Sequence, residues 1–336
     1  MNPACSAHED RRETRLTPRQ PSRRGRGHRR AFAVAAALIS SAFGVAACGS
    51  DKSDSTTSTT VVARTVSVAK TPVEVASTKR GAIGYRSAGS GPPLVLIMGF
   101  GSSMEDWAPK FVDDLARTHR VVIFDNAGIG RSKALASKLT ISGMADQTSA
   151  LINSLRLGAP DVLGWSMGGM IAQALAVRHP DQVKRLVLAA TQPGTGDAKE
   201  IPEEAAKALA SASPEEFLAA LFPDDQKAAL KSYVDGIALY TDRSTVPDTI
   251  YGPQRAAING WLGGSEPAGH NVTKTSVATL VSDGAEDRFN PVFNSRLLGK
   301  LFRHSQLKIY DDAGHAFLFQ AGTRFAARAN AFLAKH

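Results

Sequence analysis

The chain has 336 residues, 43% hydrophobic and 21% charged, enough to bury one large core or one core with an inserted subdomain, and disorder is excluded as its default state. Its formal net charge of +9 is unevenly placed: residues 1–47 hold nine Arg against Glu9, Asp10 and Glu13, so this leader contributes +6 and everything from Cys48 onward only +3. With no basic run of comparable density in the larger part, nucleic acid is excluded as a favoured partner.

The leader comes first. Arg29-Arg30 is followed by the apolar run Ala31 to Ala47. That run is too short and too alanine-rich for a spanning helix but suits a signal-peptide core, so residues 1–47 are set aside from the fold. Its end, Val45-Ala46-Ala47-Cys48, resembles the lipobox of bacterial lipoproteins. The resemblance implies that Cys48 becomes the lipidated first residue of an exported protein anchored at the outer surface of the cell membrane. A plain secretory signal cleaved at an Ala would instead give a secreted protein. His28-Arg29-Arg30-Ala31-Phe32 is also loosely similar to a twin-arginine export signal. The only cysteines are Cys5 and Cys48, so the processed chain has no intrachain disulfide. Gly49 to Thr60 offers no apolar side chain to bury, and residues 48–65 read as a solvated tether.

From about residue 66 short apolar runs alternate with longer amphipathic segments, the pattern of strands joined by crossover helices in a largely parallel sheet. An antiparallel edge is expected from Val73 to Ala76 and Ala82 to Arg86. The strand candidates that follow are Leu94 to Met98, Val121 to Phe124, Val162 to Trp165, Leu186 to Ala190, Val277 to Val281 and Leu307 to Tyr310. Their continuous apolar character suits strands covered on both faces. Helices are expected over Trp107 to Thr118, Ile141 to Leu157, Met167 to His179 (stopped by Pro180) and Thr323 to Ala334. The alternation fails between about Pro193 and Thr275. There Glu203 to Ala212, Pro214 to Phe222 and Gln226 to Leu239 have helical spacing and an irregular stretch follows, so a helical cap is expected at about 194–275, after the sixth strand. The chain shows no internal repeat, no zinc-type Cys/His spacing and no phosphate-binding loop of the P-loop kind.

Gly164-Trp165-Ser166-Met167-Gly168 matches G-x-S-x-G, and its context makes the match specific. An apolar strand runs into Ser166 and a helix-forming stretch runs out of it. A serine thrust from so sharp a turn needs side chains absent two residues before and after it, which Gly164 and Gly168 supply. The same position opens a helix, where free N–H groups and the dipole favour developing negative charge. The bland alternative is a glycine-rich turn whose serine only caps a helix.

With these motifs in place, residues from about 81 to the C-terminus, apart from the cap, resemble the α/β-hydrolase fold superfamily. The resemblance implies a mostly parallel central sheet flanked by helices, and a domain spanning residues 66–336. It also implies a serine, an acid and a histidine in that chain order. A serine hydroxyl needs an imidazole to take its proton, and the imidazole needs a carboxylate to orient it. Of the eight His, His8 and His28 lie in the leader and His336 is terminal. His119, His179 and His304 sit at expected helix ends, and His270 lies in the cap connection. His315, in a Gly-His loop directly after the last strand, stands where the family places its base. Asp283, Glu286 and Asp287 follow the strand Val277 to Val281, and the family pattern G-x-x-D selects Asp287.

Met98-Gly99-Phe100-Gly101-Ser102 is similar to the family's oxyanion loop, with Met98 where many relatives have His. The resemblance points to the backbone N–H groups of Phe100 and Met167 as oxyanion donors. The change at Met98 leaves those amides in place but alters the hydrogen bonding behind the loop. Asp125-Asn126-Ala127-Gly128-Ile129-Gly130-Arg131-Ser132 matches the family turn D-x-x-G-x-G-x-S and reads as structural.

Relatives that open epoxides or haloalkanes use a carboxylate at the position of Ser166, so those reactions are disfavoured. Acyl transfer through a serine-bound intermediate remains, with a carboxylic ester as the leading substrate class and no metal or organic cofactor implied. Trp165, Phe100 and Met167 flank the nucleophile and would favour an apolar acyl group, or else serve ordinary packing. Aminopeptidase, carbon–carbon bond hydrolase, thioesterase and cofactor-free perhydrolase activities share the same machinery. A surface-binding lipoprotein that keeps the scaffold without the chemistry is the alternative from a different class.

Overall fold

The computed structural model describes residues 67–210 and 214–335; the expected signal peptide and the tether up to residue 65 lie outside them. A hairpin opens the fold, β1 (Glu74–Thr78) and β2 (Gly81–Ala88), closed by the two-residue turn Lys79-Arg80. Gly81 has φ 105°, which a side chain would resist. β3 (Pro93–Ile97), β4 (Arg120–Phe124), β5 (Asp161–Trp165), β6 (Arg185–Ala189), β7 (Ala278–Gly284) and β8 (Ser305–Tyr310) complete an eight-stranded sheet of order β1-β2-β4-β3-β5-β6-β7-β8. β2 runs antiparallel to β1 and β4, and the remaining pairs are parallel.

Side chains alternate between two apolar layers, as strand geometry requires. Leu94 and Leu96 of β3 face one layer, with Val95 and Ile97 facing the other. The first layer is covered by α1 (Pro109–Ala116) packed on the C-terminal helix α11 (Gly322–Leu333); α2 (Ile141–Ser154), α3 (Met167–Arg178) and α9 (Val292–Leu301) cover the second.

Several element ends differ from expectation for local reasons. Trp107 and Ala108 stay outside α1, which opens at Pro109, where a missing N–H costs nothing. α2 stops at Ser154 because Arg156 and Gly158 turn left-handed, with φ of 52° and 67°. β7 continues past Val281 through Ser282, Asp283 and Gly284, all buried.

Between β6 and β7 lie α4 (Glu203–Ala210), α5 (Pro214–Ala220), α6 (Lys227–Ile237), α7 (Tyr251–Leu262) and α8 (Pro267–His270). The stretch expected to be irregular after residue 239 therefore contains a twelve-residue helix, α7. Gly252 and Pro253 disguise it in the sequence, yet a proline in the first helical turn removes no internal hydrogen bond. The short α10 (Phe317–Gln320) follows β8 and its loop.

Candidate active site

Ser166 stands between the end of β5 and the start of α3 with φ 56° and ψ −124°, a conformation that L-residues rarely adopt. The turn is clamped: Ser166 N–H donates to Ala189 O (2.9 Å), and Ser166 O accepts from Gly169 N–H (2.8 Å) and Thr191 Oγ1 (2.7 Å). A Cβ on Gly164 would strike the Gly168 backbone, and one on Gly168 would strike the Ile97 carbonyl. This close approach is why the turn tolerates glycine alone at both positions.

The loop after β3 runs beside the serine, so close that a Cβ on Gly99 would sit 3.3 Å from Ser166 Cβ. Three contacts from distant parts of the chain hold it. Gly101 N–H donates to Gln254 Oε1 on α7 (2.7 Å), Asn126 Nδ2 donates to Met98 O (2.9 Å), and Met104 N–H donates to Asp125 Oδ1 (2.8 Å). The turn Asp125 to Ser132 thus supports this loop, and Asn126 supplies a hydrogen bond behind Met98. Ser132 Oγ closes the turn on Asp125 O at 2.6 Å. The N–H groups of Phe100 and Met167 have no hydrogen-bond partner among the described residues.

His315 lies in the loop after β8, 4% exposed, with Nδ1 2.7 Å from Asp287 Oδ2. The Trp165 indole N–H donates to His315 O (3.0 Å), and the rings of Phe289 (T-shaped, centroids 5.3 Å apart) and Trp165 (tilted, 5.6 Å) pack against the imidazole. Asp287 Oδ1 accepts the N–H groups of Phe289 and Asn290, both at 2.7 Å. Desolvation is the largest influence on each partner: it raises the carboxyl of Asp287 and lowers the imidazole of His315, so the histidine rests neutral at physiological pH. Glu286 points to solvent, whereas Asp283 is fully buried behind Asp287. Of the other described histidines, His119 is buried beside Leu115 O, His179 pairs with Asp146, and His270 bonds Gly264 O.

Ser166, His315, Phe100, Met167 and Trp165 line one cavity of about 640 Å³. Its walls are mainly apolar: Phe217 and Leu221 come from the α5 region, Ile258 and Leu262 from α7, Met170 from α3 and Phe289 from the loop after β7. Trp165 borders the cavity but packs chiefly into the first apolar layer against Trp107 and Phe319. Among the described residues no three His, Cys, Asp or Glu side chains gather as metal ligands would. Gln254 and Asn290 were not singled out from the sequence. Gln254 shares a buried face of α7 with Ala257 and Trp261, and that spacing was the available signal.

The alpha/beta hydrolase fold family matches residues 92–321, and the chain belongs to that family. It is 27% identical over 255 residues to the 2-hydroxymuconate semialdehyde hydrolase of Pseudomonas sp. (strain CF600), covering 74% of this chain and 89% of that protein. It is 28% identical over 246 residues to the pimeloyl-[acyl-carrier protein] methyl ester esterase of Neisseria meningitidis, covering 70% and 90% respectively. Among solved structures, an alpha/beta hydrolase fold protein from Chitinophaga pinensis superposes with a TM-score of 0.70 at 23% identity, over 81% of this chain and 100% of that one.

Proposed function

We propose that the protein is a serine hydrolase that cleaves a carboxylic ester or related acyl substrate, with Ser166 as nucleophile, His315 as general base and Asp287 as the carboxylate that orients it. One observation carries this reading: a serine held at φ 56° on a helix N-terminus opens into the same cavity as a histidine whose Nδ1 is 2.7 Å from a buried aspartate. Ser166 Oγ attacks the substrate carbonyl while His315 Nε2 takes its proton, and Asp287 holds the Nδ1 proton and steadies the imidazolium. The oxyanion is received by the unpartnered N–H groups of Phe100 and Met167, and losing one such donor typically costs about 2.7 to 4 kcal/mol. His315 then protonates the leaving group, and water releases the acyl group by the reverse sequence.

The apolar walls favour an aliphatic or aromatic acyl group. The test is hydrolysis of p-nitrophenyl esters from acetate to palmitate by the purified protein and by Ser166→Ala. Turnover by the native protein that vanishes in the variant supports the reading, and equal turnover by both overturns it. Labelling of Ser166 by a fluorophosphonate without ester turnover redirects the search to amides, thioesters or carbon–carbon bonds. Absence of labelling favours the binding-protein alternative.

The leader motif supports export and lipidation at Cys48, with the folded domain held at the outer surface of a bacterial membrane. Incorporation of labelled palmitate that disappears in Cys48→Ala, with release of the protein from the membrane fraction, is the expected result. A membrane fraction unchanged by Cys48→Ala would count against it.

A further inference from the structure

Asp283 is 0% exposed at the buried end of β7. Its Oδ1 accepts Gly284 N–H (2.8 Å), and its Oδ2 meets Asn290 Nδ2 (2.7 Å) and Ser295 Oγ (2.6 Å). All three donors are neutral. The titratable groups facing it are Asp287 and His315; α9 contributes Ser295, the loop after β7 contributes Asn290, and the flanking strand β8 sets Ile309 opposite it. Two carboxyl groups thus share one desolvated pocket, with His315 as the cation-forming neighbour, and two like charges so placed do not both ionise. Asp287 has the better claim to the negative charge, because it holds the contact with His315 Nδ1 as well as two backbone N–H groups at Oδ1. Asn290 spans the two carboxyl groups, so Asp283 and Asp287 lie side by side.

We propose that Asp283 is a positioning residue: as the neutral acid it donates a hydrogen bond to the Asp287 carboxylate, fixing Asp287 toward His315 Nδ1 and tempering its basicity. The proton stays on Asp283 throughout the cycle and no bond to substrate is formed. Burial raises the Asp283 carboxyl well above its ordinary range, as this arrangement requires. Asn290 ties the pair together, giving its backbone N–H to Asp287 and its side-chain amide to Asp283. A carboxylate that accepts a strong extra hydrogen bond is a weaker base, so it stabilises the imidazolium less, and His315 remains neutral to lower pH than it would beside an unassisted carboxylate.

The inference rests on the triad reading above, and its tests separate the two. The infrared difference spectrum between the native protein and Asp283→Asn at pH 8 is expected to contain a carboxylic-acid C=O band belonging to residue 283. Its absence overturns the retained proton, and this readout does not involve turnover. In ester hydrolysis, Asp283→Ala is expected to lose roughly ten-fold in kcat with KM unchanged, and its acid limb to move up by about one pH unit. Asp283→Asn, which keeps a donor against Asp287, is expected to restore most of that loss and the native acid limb. Wild-type behaviour of Asp283→Ala overturns the positioning role. So does a loss of kcat without movement of the acid limb, or an Asn variant as impaired as the Ala variant. Should Asp283→Ala not fold, the infrared band and the pH profile of Asp283→Asn decide alone, an acid limb shifted up in the Asn variant counting against the proposal. Unimpaired turnover in Ser166→Ala would overturn the triad reading while leaving the band in place.

Discussion

Every residue of β5 and β6 is buried, whereas α6, in the insertion between β6 and β7, buries only Tyr233 and Ile237, and α7 only Gln254, Ala257 and Trp261. The sheet obtains its rigidity from continuous apolar strands covered on both faces. The insertion is tied to the rest of the fold at several places, and one group of these contacts ends in polar atoms aimed at the loop after β3. Tyr233 Oη donates to Asp106 O (2.9 Å), Tyr240 Oη to Trp107 O (3.1 Å), and Gln254 receives Gly101 N–H. The sheet therefore fixes where Ser166 stands, while the insertion shapes the cavity around it and braces one side of the site. Perturbing the two regions should give different signatures.

The largest effect is expected at the turn on β5. Ser166→Ala should lower kcat by roughly 10⁴-fold or more while leaving thermal unfolding nearly unchanged. Ser166→Gly should be equally inactive yet more stable than Ser166→Ala by about 1 to 3 kcal/mol, because glycine adopts φ 56° without strain. Calorimetry on the pair reads this directly. Equal melting temperatures would mean that the turn stores no strain.

Next comes Gln254→Ala in the insertion. It strips the Gly101 N–H of its partner at 2.7 Å and frees the loop that carries the Phe100 amide. An orphaned donor of this kind costs about 1 to 3 kcal/mol, so kcat/KM is expected to fall by roughly 5- to 100-fold. A loss confined to KM would mean that α7 shapes the cavity without bracing the loop.

These two positions also show what the sequence can and cannot disclose. Val162 to Trp165 is a continuous apolar run and Gly164 and Gly168 bracket Ser166, so the strand, turn and helix are local properties legible in a dozen residues. His315 was readable because its Gly-His loop directly follows β8. Gln254 was not legible: its buried role depends on a backbone N–H more than 150 positions away, and a glutamine at an apolar helix position reads as an exposed one. The same holds for the end of β7, where Ser282 and Asp283 look like the start of a loop until Ser295 and Asn290 are seen to satisfy Asp283 inside the core. Sequence patterns report burial of apolar residues; they are silent on which polar residues find partners across the fold.

A smaller effect is expected along the cavity wall. Each methylene added to the acyl chain buries about 0.8 kcal/mol of apolar surface, so kcat/KM should rise roughly four-fold per carbon until the cavity of about 640 Å³ is filled. Ile258→Trp, on α7, should bring the plateau to shorter chains without changing the rate on acetate. A profile unmoved by this substitution would place the acyl chain away from the insertion.

The last effect falls on stability and leaves turnover aside; it belongs to Asp125, which links the two regions: its Oδ1 accepts Met104 N–H from the loop after β3, and its Oδ2 accepts Ser244 Oγ from the insertion at 2.6 Å. Burial pushes its carboxyl up to about 6, against the pull of both hydrogen bonds and with help from the nearby Glu105 and Asp106. The folded state therefore binds a proton that the unfolded chain, with a carboxyl near 3.8, has already released. The resulting stability is fully present below the unfolded value and is lost as pH rises through about 6. Between pH 4.5 and 7.5 this amounts to about 2 kcal/mol. Asp125→Asn should flatten the pH dependence of urea unfolding by that amount, whatever it does to stability at a single pH. Asp161, also raised to about 6 by burial but set at the start of β5 beside Arg185, should keep its own slope in the variant. A slope identical in native protein and variant would mean that the Asp125 carboxyl stays ionised across this range, and that the link between sheet and insertion is a charged one.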